Sequence, residues 1–129
     1  MFDNSQPFGS FAVSDLDAAA EFYGNTLGLD VDVDKDMQSM ALTLPNGGRH
    51  FIYAKEGHAP ANFTVFNFAV DDVEAAVDEL NGRGVVTKIY TDPDYGTDEK
   101  GISRGFEGGP DIAWFMDPSG NVISIMKFV

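Results

Sequence analysis

One stretch of this chain occurs twice. Phe11 to Phe22 reads FAVSDLDAAAEF and Phe68 to Glu79 reads FAVDDVEAAVDE, an ungapped match at an offset of 57 residues. Six of the twelve positions are identical, and Leu16/Val73, Asp17/Glu74 and Glu21/Asp78 are conservative exchanges. A repeat of this kind constrains the fold more than any single motif does, because both copies must form the same supersecondary unit.

Each copy reads as strand, cap and helix. In the first, the apolar stretch Phe8 to Val13 ends at Ser14-Asp15, two good N-cap residues. Leu16, Ala19, Tyr23 and Leu27 then recur at helical spacing, and Gly28 stands where a glycine ends a helix, which predicts a helix over 15–27. In the second, Val65 to Val70 is the strand, Asp71-Asp72 the cap, and Val73, Ala76, Val77 and Leu80 the buried stripe of a helix over 72–81. Strand signals follow each helix. They are Leu29 to Val33, Met40 to Leu44 and Arg49 to Ala54 in the first copy, with Asn46-Gly47 as a hairpin turn. The second copy has Val85 to Tyr90, Ile112 to Met116 and Val122 to Phe128, with the turn sequence DPSGN (117–121) between the last two. In GLDVDVDKD the valines Val31 and Val33 are expected to point inward, and Asp30, Asp32 and Asp34 to form a wet, solvent-facing row.

The expected fold is therefore α+β: two βαβββ modules, about 7–56 and 62–129, within a single domain of 129 residues. A ferredoxin-like β-α-β-β-α-β order is the rival, and the third strand after each helix argues against it. Hydrophobic residues at 43% and charged residues at 22% are ordinary for a globular domain.

VSDLDAAAEFY, NTLGL and DPSGN, carried on two βαβββ modules, resemble the glyoxalase, bleomycin-resistance and dioxygenase group, the vicinal oxygen chelate superfamily. The resemblance covers nearly the whole chain. It implies two curved mixed sheets wrapped around a cleft, commonly within a homodimer. It also implies divalent-metal ligands, histidines and carboxylates, at inward strand positions, in members that do chemistry. Carried onto this chain, those positions fall at Phe8, at Val65, at or beside His50, and at Ser124, where the family usually has glutamate. Phe, Val and Ser are not competent ligands, and one imidazole cannot hold a catalytic ion alone. Neither a metal nor another cofactor is expected.

Strand alternation adds neighbours on the same inward faces. The expected ligand-binding set is Phe8, Ser10, His50, Val65, Asn67, Ser124 and Met126, an apolar lining with a few hydrogen-bonding groups. His50 reads either as a hydrogen-bonded strand residue or as a general base; His58, in EGHAPAN, reads as exposed. The glycine- and proline-rich segment 91–110 is long enough to lie over the cleft mouth as a lid, with Lys100 and Arg104 able to close it or to meet an anionic group. Trp114 could line the cleft or pack in the sheet.

Charge narrows the partners. Twenty-one acidic residues against 8 basic give a net charge of −13, a surface that repels nucleic acid. The same acidity fits a solvated surface, a cationic ligand or a high-salt habitat. The chain has no cysteine, no apolar run long enough for a membrane and no signal-peptide pattern at its start, so a cytoplasmic protein is expected. Two functions stay open: a small-molecule-binding protein without a metal, and a lyase-, isomerase- or dioxygenase-type enzyme that is metal-free or uses non-standard ligands.

Overall fold

The computed structural model describes residues 1–105 and 108–127. The chain forms two compact units, Met1–Ala59 and Pro60–Val129. The first runs β1 (Gly9–Val13), α1 (Leu16–Ala20, continued by a π-helical segment Glu21–Thr26), β2 (Asp30–Asp34), β3 (Ser39–Thr43) and β4 (Arg49–Ala54). The second runs β5 (Thr64–Ala69), α2 (Val73–Gly82), β6 (Ile102–Ser103), β7 (Ile112–Met116) and β8 (Val122–Met126). Each unit holds one four-stranded mixed sheet, ordered β1-β4-β3-β2 and β5-β8-β7-β6. The first strand of each unit pairs in parallel with its last, and the remaining pairs are antiparallel. The expected fold class, α+β from two βαβββ modules, is the one observed.

The repeat is visible at atomic detail in the caps. Asp15 and Asp72, 57 residues apart, are both extended N-cap residues. Each accepts a bond at 3.0 Å on Oδ1, from the amides of Ala18 and Ala75. Beyond the caps the units diverge by one residue. Gly28 lies thirteen residues after Asp15, whereas Gly84 lies twelve after Asp72. Both are left-handed, at φ +75° and +83°. The extra residue widens the last turns of the first helix: the Leu27 amide reaches back to the Phe22 carbonyl, and that of Leu29 to Tyr23. A π-turn is how a helix absorbs one inserted residue without losing its face, and Tyr23 stays fully buried against Phe11.

Phe11, Val13, Leu16, Ala19, Tyr23, Met40, Leu42 and Ile52 form the core of the first unit. Phe66, Val73, Val77, Ile102, Ala113, Phe115, Ile123 and Ile125 are their counterparts in the second. Each aliphatic side chain buried so completely contributes roughly 1.5–3 kcal/mol.

One expected element is absent. Residues 85–90 make no strand, and the edge place beside β7 goes to Ile102–Ser103. Side-chain bonds hold the segment instead: the Asn81 amide donates to the Val85 carbonyl and to Thr87 Oγ1, and Thr87 Oγ1 donates to the Lys100 carbonyl. Gly101 closes the crossing, because a Cβ there would lie 2.1 Å from the Thr87 carbonyl oxygen. The expected end of the last strand, at Phe128, lies outside the described residues.

Candidate functional site

In the first unit, strand pairing decides which residues share a face. Ser10 pairs with Phe51, Phe51 with Ala41 and Ala41 with Asp32, one row across the whole sheet. Phe8 joins this face, its ring 6.3 Å from that of Phe51. The face carries a groove of about 1000 Å³ lined by Phe8, Phe51, Ala41, Arg49, Asp32 and Asp34, among others. The aspartates expected to form a wet, solvent-facing row are exposed and lie on this same face: Asp30, Asp32 and Asp34 pair with Thr43, Ala41 and Ser39. Alternation within β2 places the valines and the aspartates on opposite faces, and the pairing with β3 puts the aspartates on the groove side.

His50 stands in the other phase of β4 from Phe51. It pairs with Gly9 and Leu42, not with Ser10, so it belongs to the opposite face, with Phe11 and Ile52. Its ring lies 5.2 Å from Phe11 and covers Gly9, where a Cβ would meet His50 Cε1 at 2.7 Å. His50 nonetheless lines the groove together with Phe8 and Phe51. Desolvation by burial lowers its pKa below the ordinary histidine value, which favours the neutral ring. Position 51, one residue on, is the true counterpart of Ser124: Ser10 and Asn67 are repeat equivalents, and they pair with Phe51 and Ser124 respectively.

In the second unit the DPSGN turn sets the register. Asp117 is buried and accepts from the amides of Ser119 and Asn121, both at 2.9 Å, and from the Asn121 side chain. That turn pairs Met116 with Val122 and so Trp114 with Ser124. Asn67 pairs with Ser124 from the other side, giving a row Asn67–Ser124–Trp114 across β5, β8 and β7. Ser124 is fully buried and its hydroxyl donates to Asn67 Oδ1. The serine that breaks the apolar row of β8 therefore has a polar partner on the same face. Met126 pairs with Ala69 and Ile112 on this face and is half-buried. Val65 sits at a register shift between Thr64 and Phe66, half-buried.

Trp114 lies in the sheet on the Ser124 side. The Trp114 ring meets Tyr90 at 5.4 Å and 80°, and Tyr90 meets Tyr95 at 5.1 Å and 59°. The described part of the 91–110 segment is pinned by its cations to α2. Lys100 Nζ reaches Asp78 at 2.8 Å and Glu74 at 3.5 Å, and Arg104 reaches Glu74 at 3.0 Å and Asp98 at 3.1 Å. Bonds to Asp78 above all raise the Lys100 pKa, and bonds to Glu74 and then Asp98 raise that of Arg104. Burial alone would raise the Asp98 carboxyl, but donation from the amides of Ile102 and Lys100 and from Arg104 outweighs it and holds the group below its ordinary value.

The positions that the resemblance implies for a metal hold no donor set in either unit. They hold Phe8 and Phe51 in the first and Val65 and Ser124 in the second, none of which fits a divalent ion. Among the described residues, no three His, Cys, Asp or Glu side chains come together in a group that could hold one. Nor is any helix among them long and apolar enough to cross a membrane.

Residues 8–125 match the family model of the Glyoxalase/Bleomycin resistance protein/Dioxygenase superfamily. The chain belongs to this superfamily. Solved members share its fold at low identity. A putative glyoxalase family protein from Bacillus anthracis is 19% identical, with a TM-score of 0.67, over 95% of this chain and 93% of that one. A glyoxalase/bleomycin resistance protein from Streptomyces sp. CB03234 is 23% identical, with a TM-score of 0.62, over 95% of this chain and 100% of that one. TnmS3, an antibiotic-binding protein from the same Streptomyces strain, is 22% identical, with a TM-score of 0.66, over 95% and 93% of the two chains. No curated protein matches.

Proposed function

We propose that this protein binds a small organic molecule, with a cationic one favoured, and does so without a metal. The observation that carries this reading is the residue set at the superfamily's ligand positions. Phe8, Phe51, Val65 and Ser124 offer contact area and one hydroxyl, not a coordination sphere. Support also comes from the first unit's groove, where two aromatic rings stand beside Asp32 and Asp34. That pairing of apolar surface with carboxylates suits a ligand bearing positive charge on a flat or apolar body. The similarity to TnmS3, described as antibiotic-binding, points the same way.

Calorimetric titration with 9-aminoacridine, a cation at neutral pH, and with neutral acridine tests the proposal. The cation should bind more tightly, equally well before and after dialysis against a chelator, and about tenfold more weakly in Phe51→Ala. Absence of binding by either dye, or binding lost on chelation and restored by zinc, would overturn it.

The proposal extends to a homodimer. Each sheet ends in two edge strands, β1 and β2 or β5 and β6, with backbone groups unpaired within the sheet. Light scattering at micromolar concentration should give twice the chain mass; a monomer mass would reject the dimer while leaving ligand binding untouched.

A further inference from the structure

The second unit carries a ring cluster that stays partly open among the described residues. Trp114 and Tyr90 are half-buried and Tyr95 is 59% exposed. Their mutual angles of 80° and 59° make a corner of rings, not a parallel stack. A core cluster would bury these faces, so an exposed corner at the end of a polar row is a poor structural device.

The cluster is also held in place from outside itself. Tyr95 ends a short turn, Pro93–Tyr95, whose first residue is a proline and whose cap is Asp92, accepting from the Asp94 amide at 2.9 Å. Two residues on, Thr97 Oγ1 donates to the Tyr90 carbonyl at 2.9 Å, and Lys88 Nζ donates to Thr97 through both its carbonyl and its hydroxyl. Thr97 further bridges Ser103 of β6, and the pairs of Lys100 and Arg104 with α2 fix the segment that follows. The described part of the segment expected to serve as a lid thus braces Tyr95 against Tyr90. Burial, and then Tyr95, raise the Tyr90 pKa, so its phenol stays neutral at physiological pH.

We infer that Tyr90, Tyr95 and Trp114 form a binding corner for a planar aromatic cation, whose polar substituent meets the exposed Asn67 along the same row. Neighbouring strands lie about 4.8 Å apart, so Asn67 and Trp114, two strands from each other, are separated by roughly the length of a small fused-ring system. Ring faces attract cations through their quadrupole, and the surrounding net charge of −13 adds to this. Neutral rings would gain only stacking, and anions would be repelled. This inference rests on the small-molecule reading above and places a named part of the ligand.

Trp114 is the chain's one tryptophan, so its emission reports this corner directly. The probes are 1-methylnicotinamide, neutral nicotinamide and anionic nicotinate, which keep one ring and change the charge. The cation should quench Trp114 saturably, with the excited-state lifetime unchanged as ground-state contact requires, and nicotinamide and nicotinate should not saturate. Tyr95→Ala should weaken the 1-methylnicotinamide affinity about fivefold, while Tyr95→Phe retains it. Purely collisional quenching with a shortened lifetime, equal quenching by all three probes, or an unchanged affinity in Tyr95→Ala overturns the inference. If any of those results accompanies normal calorimetric binding of 9-aminoacridine, the small-molecule reading stands and only the corner falls. If 9-aminoacridine also fails to bind, both fall.

Discussion

The two units share a plan and differ where chemistry would happen. In the first, the row across the sheet is Ser10, Phe51, Ala41 and Asp32; in the second, it is Asn67, Ser124 and Trp114, with Tyr90 and Tyr95 beyond. Phe51 and Ser124 occupy equivalent places, yet one is a ring and the other a buried hydroxyl with a partner. The outer edges differ too. A five-residue strand, DVDVD, closes the first sheet, and a two-residue strand tied to α2 by ion pairs closes the second. The lesson is that duplication preserved caps, strand order and register, which depend on backbone bonds and core volume. It left the side chains on the non-core face free to diverge, because little in the fold depends on them.

Mutations at glycines probe the comparison most strongly. Gly101 and Gly47 both have positive φ, +84° and +86°. A Cβ at Gly101 meets the Thr87 backbone, whereas nothing lies within 4 Å of one at Gly47. Gly101→Ala should therefore cost the second unit about 3 kcal/mol, from collision plus backbone strain. Gly47→Ala, in the first unit's hairpin, should cost only about 1 kcal/mol, from φ alone. Urea unfolding reads both. Equal losses would mean that the crossing of 85–90 by Gly101 is not the rigid feature that distinguishes the second unit.

Much of this architecture was legible in the chain because its signals are local. The caps at Asp15 and Asp72 and the strands Arg49–Ala54 and Ile112–Met116 stand where sequence periodicity puts them. What could not be read depends on pairing between distant segments. His50 and Phe51 are adjacent, and only the parallel pairing of β4 with β1 decides which one shares a face with Ser10. Asp32 and Asp34 alternate plainly, but nothing in β2 says that the aspartate side is the groove side. Residues 85–90 carry strand-forming side chains, yet Thr87 and Asn81 satisfy backbone groups that a ladder would have used. Trp114 could have been placed from sequence by counting back through the DPSGN turn, since that turn fixes which residues oppose each other.

A smaller effect tests whether the repeat is equivalent in energy as well as in geometry. Asp15 and Asp72 make the same bond at the same distance. Asp15→Ala and Asp72→Ala should each cost about 1 kcal/mol and agree within about 0.5 kcal/mol. Thermal unfolding of the two variants checks this. A markedly smaller loss for Asp15→Ala would show that the π-helical continuation has weakened the dependence of the first helix on its cap.

The smallest expected effect concerns the position where the units differ inside the core-facing row. Gly9 pairs with His50 in the first unit, and its repeat equivalent Phe66 pairs with Ile123 in the second. Burial lowers the His50 pKa in the folded protein, while in the unfolded chain it stands near the ordinary value of about 6.5. Between those two values the unfolded chain binds more protons, so stability rises with pH in that window. Acidification from neutral pH should therefore erode stability once pH falls below about 6.5, and the loss should level off below the folded-state value. His50→Ile gives the first unit the residue that the second already has, and removes the titrating group. Wild type and His50→Ile should accordingly show melting temperatures whose difference is constant above neutrality and shifts in favour of the variant on acidification. Carboxylates such as Asp98, held below their ordinary value, contribute only at lower pH and do so equally in both proteins. A difference that stays flat down to pH values well below 6 would mean that His50 protonates as readily folded as unfolded, and that its place on the core-facing row has no electrostatic consequence.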